Sequence, residues 1–187
     1  MIHHWFPKTI YYKNNIEIEN LCVYRNSILD VFKSNTSCRD GLKNVDSTYM
    51  TVNNLQTNSN FDSLVNIILE EVSIYAKEIG FLNRNYYIDS MWANVSKEND
   101  YLFPHNHNGS FISGVFYISS NLENKIKFFN SPTMFPDPDI WNKNNFQYCE
   151  YSCIPGTLLL FQSDIMHGTE SQVGSEKICL SFNICMK

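Results

Sequence analysis

Apolar residues along this chain follow two different periods. In the first part they recur at helical spacing. Ile16, Leu21, Ile28, Leu29 and Phe32 do so between Asn15 and Ser34, and Leu64, Ile67, Ile68, Val72, Tyr75 and Ile79 do so further on. That spacing gathers side chains on one face of a 3.6-residue turn and predicts two amphipathic helices. Asp62 or Ser63 is placed to cap the second helix and Gly80 to end it. Between the two, residues 35–60 are rich in Asn, Ser, Thr and Asp and read as loop.

Beyond Gly80 the period falls to two. Residues 85–95 read as extended, and Ser110–Ser119 alternates cleanly. Phe111, Ser113, Val115 and Tyr117 take one face, and Ile112, Gly114, Phe116 and Ile118 the other. Lys125–Phe129 and Lys177–Met186 are further strands, as is Thr157–Phe161 after the Pro155–Gly156 turn. Residues 130–147 carry Pro132, Pro136 and Pro138 and read as a long loop. Helices followed by many strands predict a mainly β, α+β fold. The expected architecture is a jelly-roll or β-sandwich with the N-terminal helices packed on its outside. The helical flank spans about residues 1–84 and the β core about 85–187, in one domain of 187 residues.

Composition supports a packed core: 43% of residues are hydrophobic and only 18% charged. A net charge of -5 with scattered Lys and Arg excludes a nucleic-acid partner, which demands a basic stripe. The six cysteines form no CxxC pair, so zinc-ribbon spacing is absent. The N-terminal residues lack the basic and apolar regions of a secretion signal, and no apolar run reaches the ~20 residues of a membrane span. The expectation is a cytoplasmic protein with reduced thiols and no membrane partner.

Chemistry concentrates in Pro104-His105-Asn106-His107. On a strand, residues two apart point the same way, so both imidazoles can face one point. A third imidazole, His167, follows the apolar stretch Leu158–Phe161. Neighbouring antiparallel strands bring such distant positions together, and three imidazoles make a candidate metal site. His3 and His4 read as ordinary surface residues. In the last strand Ile178, Leu180, Phe182, Ile184 and Met186 form an apolar face, while Lys177, Cys179, Ser181, Asn183 and Cys185 form a polar or small one. The second face suits the lining of a ligand cavity, where Lys177 would hold a carboxylate as a point charge. Asp164 is either an orienting partner for a ligand histidine or a turn residue.

Several blocks occur in a telling order: Trp92-x-Asn94, His105-x-His107, Ser110–Tyr117, Pro155–Phe161, His167-Gly168 and Ser181–Asn183, with Phe6-Pro7 near the start. Together they resemble the Fe(II)/2-oxoglutarate-dependent oxygenase superfamily, and more narrowly a small bacterial and phage group within it. The resemblance covers about half the chain. It implies a double-stranded β-helix of the cupin-like jelly-roll kind, with Fe(II) held by His105, His107 and His167. It also implies 2-oxoglutarate on the iron, its far carboxylate on Lys177, with Asn94, Tyr117, Ser181 and Asn183 as further co-substrate contacts. The implied reaction uses O2, releases succinate and CO2, and ends in hydroxylation of a small molecule or an amino-acid or peptide side chain. Two positions depart from the superfamily's usual pattern. His107 stands where a carboxylate is usual, and Lys177 where Arg is usual. The loop 130–147, with Met134, Phe135 and Trp141, is either a substrate lid or a cover for the core.

Other classes stay open on the residues alone. A cupin-type three-histidine dioxygenase needs no 2-oxoglutarate, but Asn108–Ile112 lacks the glutamate such proteins carry after the histidine pair. A non-enzymatic jelly-roll binding module and a hydrolytic zinc enzyme complete the alternatives.

Overall fold

A computed structural model describes residues 1–3, 7–34, 45–130, 136–142 and 144–187. His4, Phe6, Cys38, Met134 and Phe135 lie outside the described residues. The elements in chain order are β1 (Ile10–Lys13), α1 (Leu21–Ser34), β2 (Asp46–Ser47), α2 (Asp62–Glu78), β3 (Tyr86–Ser96), β4 (Leu102–His105), β5 (Ile112–Ser119), β6 (Lys125–Phe129), β7 (Tyr148–Ser152), β8 (Leu158–Gln162), β9 (Met166–Thr169) and β10 (Lys177–Met186). They build two antiparallel sheets. The larger has the order β1-β8-β5-β10-β3-β2, and the smaller β4-β9-β6-β7. Two facing antiparallel sheets with helices outside are the architecture that the change of period predicts.

The larger sheet is apolar on both faces, but for different partners. Its outer face carries Met91, Ala93, Phe116, Ile118, Leu158, Leu160, Leu180 and Phe182 against Tyr24, Ile28, Leu64, Ile68 and Val72 of the helices. Burial of whole side chains such as these stabilises by about 1.5–3 kcal/mol each. Its inner face carries Val115, Tyr117, Leu159, Phe161 and Cys179 against Ile126 and Phe128 of the smaller sheet. Helices therefore close one side of the larger sheet, and the smaller sheet partly closes the other. Among the described residues no helix is long and apolar enough to cross a membrane.

Local readings needed four corrections. The first helix begins at Leu21, after a 3-10 turn over Ile18–Asn20, rather than near Asn15. Neither Asp62 nor Ser63 caps α2: Phe61 holds the cap position without a side-chain bond, and the Ser63 hydroxyl donates instead to Glu17 at 2.8 Å. Phe111 lies ahead of β5, so its ring leaves the face of Val115 and Tyr117 and packs on Phe81 and Tyr86 in the helix-side core. The short strands β1, β2, β4 and β9 carry too few residues for alternation to reveal them, and β7, with no buried residue, has no apolar face to alternate. Gly80 does end α2, at φ 93°.

Candidate active site

The site is built where β4 crosses β9. These strands pair antiparallel with His105 opposite His167, so 62 positions of sequence separation collapse to a cross-strand pair. Gly168 permits the approach. A Cβ there would lie 2.8 Å from the Leu102 carbonyl oxygen and 3.0 Å from the Pro104 nitrogen, so only hydrogen fits beneath β4. On its other side β9 pairs with β6, with His167 opposite Phe128. The His167 ring is buried and packs on Phe161, centroid to centroid 4.6 Å.

His105 ends β4, and His107 sits in the loop beyond it rather than on the strand. The loop is nonetheless fixed. The His107 N–H donates to the Ser163 carbonyl at 2.8 Å, and its carbonyl accepts from the Ser110 N–H at 3.3 Å. Gly109 makes the intervening turn at φ 109°, a conformation other residues rarely adopt. The three rings then form a triangle: centroids are 4.5 Å apart for His105 and His167, and 5.1 Å for each pair that includes His107. One ligand atom from each histidine lies within 4.8 Å of the other two. Trp92 backs His107 at 5.6 Å and is itself backed by Tyr49 at 4.8 Å.

Hydrogen bonding sets which nitrogen faces inward. Nδ1 of His105 bonds to the Phe103 carbonyl at 2.8 Å, and Nδ1 of His167 to the Ile165 carbonyl at 2.9 Å. A carbonyl has no proton to give, so Nδ1 donates in both cases. The Nε2 lone pairs are thereby left for a ligand, which is the arrangement that orients metal-binding imidazoles. Neutral nitrogen donors on one side of a point fit a divalent first-row cation such as Fe(II) and leave its other positions open. Asp164 takes no part in this. It is exposed in the turn between β8 and β9, and the Ile165 carbonyl orients His167 in its place.

From the histidines a pocket runs between the sheets to Lys177. Lys177 opens β10 opposite Ser96 of β3 and is only 3% exposed. Among the described residues no carboxylate pairs with it. Tyr117 and Cys179 share its end of the pocket. Burial pushes the Tyr117 hydroxyl well above its ordinary range, with the Cys153 and Cys179 thiols adding to the shift, so the phenol stays a proton donor. Burial also raises the Cys179 thiol to about 11, against the pull of the nearby Lys177 charge. Asn94 on β3 donates from Nδ2 to the Ser181 hydroxyl on β10 at 3.0 Å, and both line the same pocket.

Seven of the eight residues singled out from sequence thus line one cavity; Asn183 does not. Its side-chain carbonyl oxygen accepts from Ser113 at 2.8 Å, its Nδ2 donates to Ser90 at 3.2 Å, and it lines a neighbouring cleft that shares His107 with the pocket. Asn183 keeps the face of Ser181 but lies two residues further along β10, beyond the pocket's last lining residue on that strand. Trp92 and Ser96 were missed as lining residues. Period two alone would have found them, because both share a face with Asn94.

Comparison with known proteins agrees with this geometry. Residues 90–183, just over half of the chain, match the family described as "Putative 2OG-Fe(II) oxygenase". The chain belongs to this family. Fe(II) and 2-oxoglutarate, the cofactors expected from the sequence, are those the family is named for. The matched span contains all three histidines and Lys177. Solved structures share the fold at low identity. A prolyl-4-hydroxylase from Pseudomonas putida superposes with a TM-score of 0.68 at 9% identity, over 95% of this chain and 92% of its own. The non-heme α-ketoglutarate-dependent epimerase SnoN from nogalamycin biosynthesis gives 0.71 at 9%, over 95% and 77%. HygX from Streptomyces hygroscopicus, solved with nickel and 2-oxoglutarate, gives 0.65 at 10%, over 95% and 83%. No curated protein matches the sequence. The jelly-roll expected from the change of period is the fold these oxygenases share.

Proposed function

We propose that residues 1–187 form one catalytic domain that hydroxylates a small molecule or an amino-acid or peptide side chain. His105, His107 and His167 hold Fe(II), and Lys177 holds the far carboxylate of 2-oxoglutarate. The observation that carries this reading is the buried Lys177 ammonium, facing the far end of the cavity that the three histidines close, with no carboxylate partner among the described residues. A buried cation without a counter-ion is costly, and a dianionic ligand spanning the cavity would remove that cost. Bound Fe(II) supplies O2 activation coupled to decarboxylation of the keto-acid to succinate and CO2.

The chain's own residues do the rest. The Tyr117 hydroxyl, the Asn94 and Ser181 pair and Lys177 bind and orient the co-substrate; the Phe103 and Ile165 carbonyls hold two imidazoles in register. Phe161, Val115 and Ile126 keep the pocket wall apolar and exclude water. Three neutral imidazoles leave the full 2+ charge of the ion to attract the keto-acid, which favours a dianion at this site. A cupin-type reading without 2-oxoglutarate leaves Lys177 without an anion. The test is anaerobic addition of Fe(II) and then 2-oxoglutarate, watched for the weak visible charge-transfer band. The band is expected in the wild-type protein and lost in His105→Ala and His167→Ala. No band at saturating cofactor would sink the reading.

A further inference from the structure

His107 lines two spaces. One is the pocket that ends at Lys177. The other is an open cleft lined also by Tyr49, Asn53, Asp89, Asn106, Asn108 and Asn183. The two differ in sign. The first has a buried cation at its end. In the second the one formally charged side chain is the carboxylate of Asp89, exposed on β3, and no lysine or arginine lines it among the described residues. Asp89 is not paired with any cation, and the side chains of Asn53, Asn106 and Asn108 make no hydrogen bond, among the described residues. The walls are nevertheless held in place: the Asn53 carbonyl accepts from the Met91 N–H at 2.8 Å, and the loop after β4 is tied to Ser163 through His107. Each amide offers both donors and acceptors, and Asn183 keeps a second N–H after bonding Ser90.

We infer that this cleft is the primary-substrate site and that it takes a small polar molecule bearing a protonated amino group, held by Asp89, with hydroxyl or amide groups for the asparagines. The inference rests on the oxygenase reading above and deepens it. The opposite signs also sort the two reactants. A dianionic keto-acid is drawn to Lys177 and repelled by Asp89, whereas an ammonium is drawn to Asp89 and repelled by Lys177 and by the 2+ ion. Pocket and cleft share His107, so a substrate held at Asp89 lies beside the three histidines with its charged end turned outward.

The experiment measures succinate release by the Fe(II)-loaded protein with saturating 2-oxoglutarate, after the visible band has been recorded. Three amine sources are supplied: amino-acid amides, amino sugars and a lysine-bearing peptide. Each is paired with its N-acetylated counterpart, and dicarboxylates serve as the anionic arm. At least one amine is expected to raise succinate release 10-fold or more over the rate without it, and its N-acetylated form to do little. Asp89→Asn is expected to raise the KM of that amine at least 10-fold with a smaller change in kcat, and Asp89→Glu to restore most of it. Asp89 is exposed, so these variants fold. Absence of the band overturns the oxygenase reading itself. With the band present, three results overturn the amine assignment alone: no amine stimulates, N-acetylated or anionic compounds stimulate equally, or Asp89→Asn leaves KM unchanged.

Discussion

The two faces of β10 share one backbone and meet opposite environments. Ile178, Leu180, Phe182 and Ile184 point to the helices and are fully buried among other apolar side chains. Lys177, Cys179 and Ser181 point to the smaller sheet and line the pocket. The outer face is filled to contact: a Cβ on Gly114 would lie 2.4 Å from the Phe182 ring. The inner face is left incompletely filled, with a cation and hydroxyl groups around the gap. The larger apolar cluster is on the helix side; the facing side adds a smaller one beside the pocket and carries Lys177 and hydroxyl groups around the gap.

That division can be broken from either side. The largest effect is expected at the histidines. His105→Ala or His167→Ala should weaken Fe(II) binding by more than the roughly 10–100-fold that loss of an orienting partner costs, with the fold intact by circular dichroism. A metal affinity that survives both changes would remove these residues as ligands.

Leu180→Ala, on the outer face, should cost about 2–5 kcal/mol in urea unfolding, while Ser181→Ala, one residue away, should cost less than about 1 kcal/mol. Equal costs would mean that the pocket-lining hydroxyl matters to the fold as much as the helix-side packing does. Lys177→Met separates stability from binding. The cofactor-free protein should gain on the order of 1 kcal/mol, because a buried unpaired charge is gone. Affinity for 2-oxoglutarate should fall about 10–100-fold with the loss of a charge-assisted contact. A loss of stability instead would show that the ammonium is internally satisfied.

The smallest effect concerns the thiols. With its pKa raised from 9.0 to about 11 by burial, Cys179 stays protonated at pH 8. Iodoacetamide should therefore modify the exposed Cys22 and Cys149 first and reach Cys153 and Cys179 only on unfolding. The sign follows from the shift. A thiol harder to ionise when folded favours the folded state below about pH 9, and that contribution is lost as pH rises towards 11. Peptide mapping by mass spectrometry checks the order.

How much of this was legible depended on the length of the local pattern. β5 and β10 alternate over 8 and 10 residues, and both their extents and their faces were readable, Phe111 apart. α2, with 17 residues at helical spacing, was equally clear. β4 and β9 have 4 residues each, one of them a proline in β4 and a glycine in β9, so nothing local marks them as strands. Yet these are the strands that carry His105 and His167. Their partnership comes from close backbone approach over Gly168, which is a property of two distant segments together. Asn183 shows the reverse error. Alternation rightly puts it on the face of Lys177 and Ser181, but it lies further along the strand, beyond the pocket, where it bonds Ser113 and Ser90 and lines the neighbouring cleft.

The order of residues by itself determined the two helices, the long strands, the facing of β10 and the choice of imidazole, ammonium and amide groups, because each depends on periodicity or side-chain chemistry within a short window. Tertiary structure alone decided that three rings meet within 4.8 Å and that Lys177 is buried with no carboxylate partner among the described residues. Those are relations between distant segments, as in the pairing of His105 with His167 and of Lys177 with Ser96, and their energies come from burial and cross-strand contact, which no local window contains.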